Sequence, residues 1–242
     1  MDDVVRERPE AVGSGNPLRL KTAQQVSEVV VGAMERAGSY TVAVSGRAED
    51  GVGTRVEQRV VLGDGADRYR VDLGHGARAR SLVHVDGVYY VTLAVRSGPW
   101  EWRRGDGDSA VRNPDFGDTV RAKNLVEQFR AMGGGRLVEA GPVTVHGVRG
   151  TRYLLEYGAD ELMEMVRPET VDEQEIAELR ADIGDGRVRT AIAVGADGRP
   201  LFLQMVQVIG REPTDDLPVG RFSGWGTTTV EVPPEGKVAP AR

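Results

Sequence analysis

Hydrophobic positions recur along this chain with two periods, and the switch between them divides it into elements. In TAQQVSEVVVGAMERAG, Val26, Val30, Ala33, Met34 and Ala37 stand at helical spacing and form one apolar face. Thr22 is placed to N-cap that helix, with Gln25 three residues on as a capping box, and Gly38 is placed to stop it. From residue 39 the period falls to two. In SYTVAVSGR, Tyr40, Val42 and Val44 alternate with Thr41, Ala43 and Ser45. In TRVEQRVVLG, Val56, Val60 and Leu62 share a face that also carries Gln58. In DRYRVDLG, Tyr69, Val71 and Leu73 oppose Arg68, Arg70 and Asp72. ARSLVHV, VYYVTLAVR and PWEWRR continue the series, separated by Gly-Asp-Gly, Gly-His-Gly, Asp-Gly and Ser-Gly-Pro. Short alternating strands between such turns predict an antiparallel meander. One face is apolar and the other charged, so one side of the sheet is covered and the other wet.

GDGDSAVRNPDFGDT reads as a polar loop, and NLVEQFRAMGGG as a second helix. Asn124 and Glu127 are its expected cap, Leu125, Phe129 and Met132 its apolar face, and the glycines its end. RLVEAGPVTVHGVRGTRYLLEY returns to strands around a turn at His146–Gly147. ADELMEMV and TVDEQEIAELRADIG predict two short helices, the second with Thr170 and Glu173 as capping box. RVRTAIAV and PLFLQMVQVIG form a hairpin about Gly195–Gly198. VGRFSGWGTTTVEV then places Trp225 in a glycine turn between two β-like runs, with a Pro-rich tail behind it. Helices and strands segregate instead of alternating, which excludes a doubly wound parallel fold. The expectation is α+β, with a single strongly curved antiparallel sheet of roughly ten strands wrapping amphipathic helices. Residues 1–20 show no periodicity and read as a flexible tether; residues 21–242 read as one domain.

Composition narrows the function classes. The 242 residues are 40% hydrophobic, enough for a sizeable core. The net charge of −6, with signs well mixed and no basic block, argues against nucleic acid as partner. The absence of cysteine removes disulfides, thiolate metal sites, a thiol nucleophile and a lipidated cysteine. The first residues carry no basic-then-apolar signal pattern, and no run is long and apolar enough to span a membrane.

Catalytic patterns are equally scarce. His75, His84 and His146 have no second histidine at ligand spacing, and there is no G-x-S-x-G elbow. GVGTRV lies between strands and GGG follows a helix, so neither cradles a phosphate. DEQE opens a helix, where carboxylates suit the dipole. Trp100 and Trp102 share a strand face and read as packing at the sheet rim. The expectation is a protein that is not an enzyme and uses no cofactor and no metal.

Three stretches, in order, carry a resemblance. They are GPVTVHGVRGTRY with Gly147 and Tyr153, VGADGRPLFLQMVQV with Asp197, Gly198 and Pro200, and FSGWGTTTVEVPPEGKV. From about residue 21 to the end the chain resembles the LolA-like lipoprotein-carrier fold, and looks most similar to the actinobacterial LppX/LprA/LprF/LprG-type lipoproteins. Two features depart from that pattern: the lipobox cysteine is absent, and Gly224 stands where the family has an acidic residue. The resemblance implies a half-open β-barrel with helices as plug or lid over an apolar cavity. It also implies non-enzymatic binding and transport of an acylated lipid, glycolipid or lipoprotein in the extracytoplasmic cell envelope. The implied partners are an acyl-chain lipid or lipoprotein and a membrane surface.

The expected cavity lining is Val42, Val44, Val60, Leu62, Tyr69, Val71, Leu73, Leu125, Phe129, Leu155, Ile192, Leu203 and Met205. An acyl chain of roughly fifteen carbons gains on the order of 10 kcal/mol on burial, at about 0.8 kcal/mol per methylene. A rigid empty pocket of roughly 300 Å³ would cost about 7 kcal/mol, so partial collapse is expected when no ligand is bound. The competing reading is the same fold with a filled core, acting as an envelope scaffold or sensor module.

Overall fold

The structure is a computed structural model and describes residues 18–47, 53–63, 68–74, 80–97, 100–105, 125–166, 173–184, 186–208 and 219–239. Helix α1 (Ala23–Ala37) opens with the Thr22 side chain accepting from the Gln25 amide at 3.1 Å and ends at a left-handed Gly38. Six strands follow: β1 (Ser39–Arg47), β2 (Gly53–Val61), β3 (Arg68–Leu73), β4 (Arg80–Val85), β5 (Val88–Ser97) and β6 (Trp100–Gly105). Helix α2 (Leu125–Ala131) runs into a 3-10 turn over Met132–Gly134, and then into β7 (Arg136–Val145) and β8 (Val148–Tyr157). Helices α3 (Ala159–Val166) and α4 (Glu173–Ile183) precede β9 (Val188–Gly195), β10 (Pro200–Val208), β11 (Val219–Ser223) and a two-residue β12 (Val238–Ala239). The caps expected at Asn124 and Thr170 lie outside the described residues.

The twelve strands form one open sheet in the order β12-β6-β5-β4-β3-β2-β1-β11-β10-β9-β8-β7. Two sequence-local meanders, β1–β6 and β7–β11, meet where β11 pairs antiparallel with β1, Val42 opposite Phe222. Among the described residues only the β12–β6 pair is parallel. Register lines up one row of the covered face: Val91, Leu82, Val71, Gln58, Val42 and Phe222 stand directly opposite in turn. Side chains of α1 (Val26, Val30, Met34) and α2 (Leu125, Phe129) join this face in one contiguous core. A smaller cluster joins Leu162 and Met163 of α3 to Ile183 of α4 and Val188 of β9.

The opposite face is not wholly wet. Val83, Val85 and Trp102 are buried there under Val230 and Val238 of the C-terminal segment, and Arg70 lies over the Trp102 ring at 5.9 Å. The alternation in TTTVEV suggests a strand returning beside β11, but the segment is not a strand. Both edges of β11 are already taken, by β1 and β10, so the chain crosses the back of the sheet and, among the described residues, pairs only at β6.

The FSGWG turn fixes where this crossing begins. Gly224 has φ +64°, and a Cβ there would meet the Thr228 hydroxyl at 2.4 Å, where Thr228 and Thr41 share a 2.9 Å hydrogen bond. Trp225 folds back over the sheet end, stacked on Phe222 at 6.0 Å and tilted against Tyr40 at 5.6 Å. At the far edge, β7 carries Pro142 and a register shift between Leu137 and Glu139, both of which discourage pairing with another chain.

Candidate functional site

The sequence places Leu18–Leu20 with the tether, yet these residues are docked on the sheet. The Leu18 carbonyl accepts from the Tyr153 hydroxyl at 2.7 Å and from Thr151 Oγ1 at 2.9 Å. The Leu20 amide donates to the same Tyr153 oxygen at 3.4 Å. Leu18 and Leu20 pack partly buried against the main core, while Arg19 and Lys21 between and after them are exposed.

A groove of about 840 Å³ opens between this lead-in segment and the β7–β8 hairpin. Leu18–Lys21 form one wall and Ala140, Gly141 and Pro142 the other, with Thr151 and Tyr153 buried beneath as its floor. Register explains the geometry. Ala140 stands opposite Tyr153 and Pro142 opposite Thr151, so both small side chains share the covered face with the tyrosine. Ala140 and Pro142 are exposed although they stand on that face, because no helix among the described residues covers the sheet there. The walls are mainly carbon, and the size falls in the range of small-molecule sites.

The sequence-derived cavity residues lie elsewhere on the same face. Val42, Val60, Tyr69, Val71, Leu125, Phe129, Leu155, Ile192 and Leu203 are buried in the main core, with Val44, Leu62 and Leu73 packed half-buried against it. Met205 belongs to β10, and its side chain lies outside the described residues. The structure therefore brings these positions together, and none of those described lines the groove. The groove escapes sequence reasoning because its wall comes from a segment without a long repeat. The available signal is the short alternation Leu18-Arg19-Leu20-Lys21, together with a tyrosine in the opposing strand.

Buried polar atoms on the covered face without a hydrogen-bond partner among the described residues include Gln58 Nε2, the Tyr157 hydroxyl and Thr190 Oγ1. Strand parity puts Gln58 with Val60, Tyr69 with Val71, Tyr157 with Leu155, and Thr190 with Ile192. Burial pushes both phenols well above the ordinary tyrosine range, with the neighbouring Tyr89 phenol adding to it at Tyr69, so they stay neutral at any physiological pH. His84 lies between Tyr69 at 4.9 Å and Tyr89 at 4.4 Å, its ring tilted against both. His146 occupies the β7–β8 turn with φ +48°, and His75 lies outside the described residues.

On the back of β8, Glu156 is only 5% exposed and is held between two guanidinium groups, Arg136 at 2.6 Å and Arg189 at 3.2 Å. The Arg136 hydrogen bond is the main cause that lowers its pKa, with Arg189 adding to it against the opposing effect of burial. This triad lies directly across three strands and braces them. Among the described residues no group of three His, Asp or Glu could hold a metal, and no helix is long and apolar enough to cross a membrane.

The open, mostly antiparallel sheet, with helices on one face and a groove at its side, defines an α+β protein. No family model matches the chain, and no curated protein matches it. Among solved structures it is similar to the MucA/MucB complex of Pseudomonas aeruginosa, with TM-score 0.40 and 17% identity, over 88% of this chain and 58% of that one. This chain thus spans less than two thirds of that relative. An uncharacterized conserved protein from Thermus thermophilus aligns with TM-score 0.39 and 14% identity, over 90% of this chain and 98% of that one. A domain described as a putative outer membrane lipoprotein-sorting protein, from Vibrio parahaemolyticus, aligns with TM-score 0.31 and 8% identity, over 83% and 90%.

Proposed function

We propose that this protein binds and carries an acylated molecule of the bacterial cell envelope, without catalysis, in the manner of the lipoprotein carriers its motifs resemble. The supporting observation is the groove of about 840 Å³ that lays a carbon-walled channel on the helix-bearing face, where the floor residue Tyr153 is continuous with the main core. An acyl chain needs area and shape, not directed bonds, and about 0.8 kcal/mol per methylene is enough to hold it. In this proposal the sheet acts as a half-open barrel and α1 and α2 act as its plug or lid.

Organic extraction and native mass spectrometry of the purified protein test the reading. The expected result is a co-purifying acyl species, or uptake of an offered one, that is lost in Ala140→Trp. Ala140 is exposed, so the indole fills the groove without disturbing the core. A protein that takes up no lipid would exclude the carrier. Leu73→Arg separates the two faces of the idea: if it also abolishes uptake in a folded protein, the chain reaches beyond the groove toward β3.

A second reading has one observation in its favour. The expected cavity residues are already packed with α1 and α2 in a single core, as a scaffold or sensor module with a filled interior would have them.

A further inference from the structure

This inference rests on the acyl-binding reading and adds the charge of the ligand. The residues lining the groove include two cations, Arg19 and Lys21, and no carboxylate. Both cations are exposed, and among the described residues neither has an ion-pair partner. The only acid in β7, Glu139, lies 3.9 Å from Arg152. The local charge is therefore opposite in sign to the chain as a whole, which carries −6.

The backbone that carries the two cations is also held in place. Thr151 and Tyr153 pin the Leu18 carbonyl, Tyr153 receives the Leu20 amide, and the Lys21 amide donates to Gln25 Oε1 at 2.8 Å. Alternation along the segment then turns the leucines to the core and leaves Arg19 and Lys21 exposed among the groove's lining. An apolar wall beside two cations of one sign focuses their field on the opening.

We propose that the groove takes an amphiphile with a single acyl chain and an anionic headgroup, the chain lying on Ala140 and Pro142 and the headgroup between Arg19 and Lys21.

The test uses the full chain and three probes below their micelle concentrations: oleoyl lysophosphatidylglycerol, monoolein, which has the same chain and no charge, and glycerol phosphate, which has no chain. Calorimetric titration should show the lysophospholipid binding on the order of tenfold more tightly than monoolein at low salt, the margin shrinking as salt rises. The double variant Arg19→Glu, Lys21→Glu should lose that margin in a protein that melts like the parent, since both side chains are exposed. Equal affinity for the two lipids, or a margin that survives the charge reversal, overturns the headgroup site and leaves the acyl reading standing. Tight binding of glycerol phosphate alone would make this a plain anion site and overturns it too. Binding of none of the three removes the acyl reading and this inference together.

Discussion

At the scale of single residues, Glu156 is the position whose chemistry reaches furthest into stability. Its carboxylate is nearly buried yet paired on both sides, and its folded pKa lies below the ordinary value of 4.5. The sign of the linkage follows. A depressed folded pKa gives stability that is complete above the unfolded value and is lost as pH falls through the folded one. Glu156→Gln should therefore be less stable than the parent at neutral pH, because two guanidinium groups lose their counter-charge. The difference should hold steady down to about pH 5 and narrow below it. Denaturant melts of both proteins across that range check this, and a difference that does not change with pH would assign Glu156 a packing role only.

At the scale of elements, the C-terminal segment acts as a strap. Val230 and Val238 cover Val83, Val85 and Trp102, which the alternation of β4 and β6 would otherwise turn to water. Val230→Asp should cost about 2–3 kcal/mol by undoing this burial. It should also shift Trp102 emission to the red in a background where Trp100 and Trp225 are phenylalanine. An unshifted spectrum would mean the strap does not cover the ring.

The same strap shows where sequence reading stops. Strands β1, β2 and β3 were legible because Tyr40, Val56 and Tyr69 alternate with polar neighbours, and Thr22 and Gly38 bounded α1 through local bonds. The path of TTTVEV was not legible, because it depends on which edges of β11 are free, and that is decided by β1, far away in sequence. The groove was hidden for the same reason: Leu18 meets Thr151 and Tyr153 across 133 and 135 residues. The apolar cluster, by contrast, needed only the strand parity already visible at Val42, Val71 and Ile192.

At the scale of the whole molecule, stability should grade across the sheet. β8 and β9 lie between paired neighbours and carry Tyr153, Leu155, Tyr157, Val188 and Ile192, none with measurable exposure. Edge strand β7 is half solvent-facing, and β12 has two residues. Amide exchange should be slowest in β8 and β9 and fastest in β12 and the outward amides of β7. Uniform exchange across the sheet would mean that it opens as one unit.

The pairing of β1 with β11 has a consequence in time. Thr41 and Thr228, which bond across that junction, are 187 residues apart. At a synthesis rate of roughly 5–20 residues per second, β1 waits roughly 10–40 s for the strand that will cover its edge. Through that interval the nascent chain exposes one unpaired edge of β1, so its exposure to edge-to-edge association is set by the order of its strands and not by the strength of its finished core.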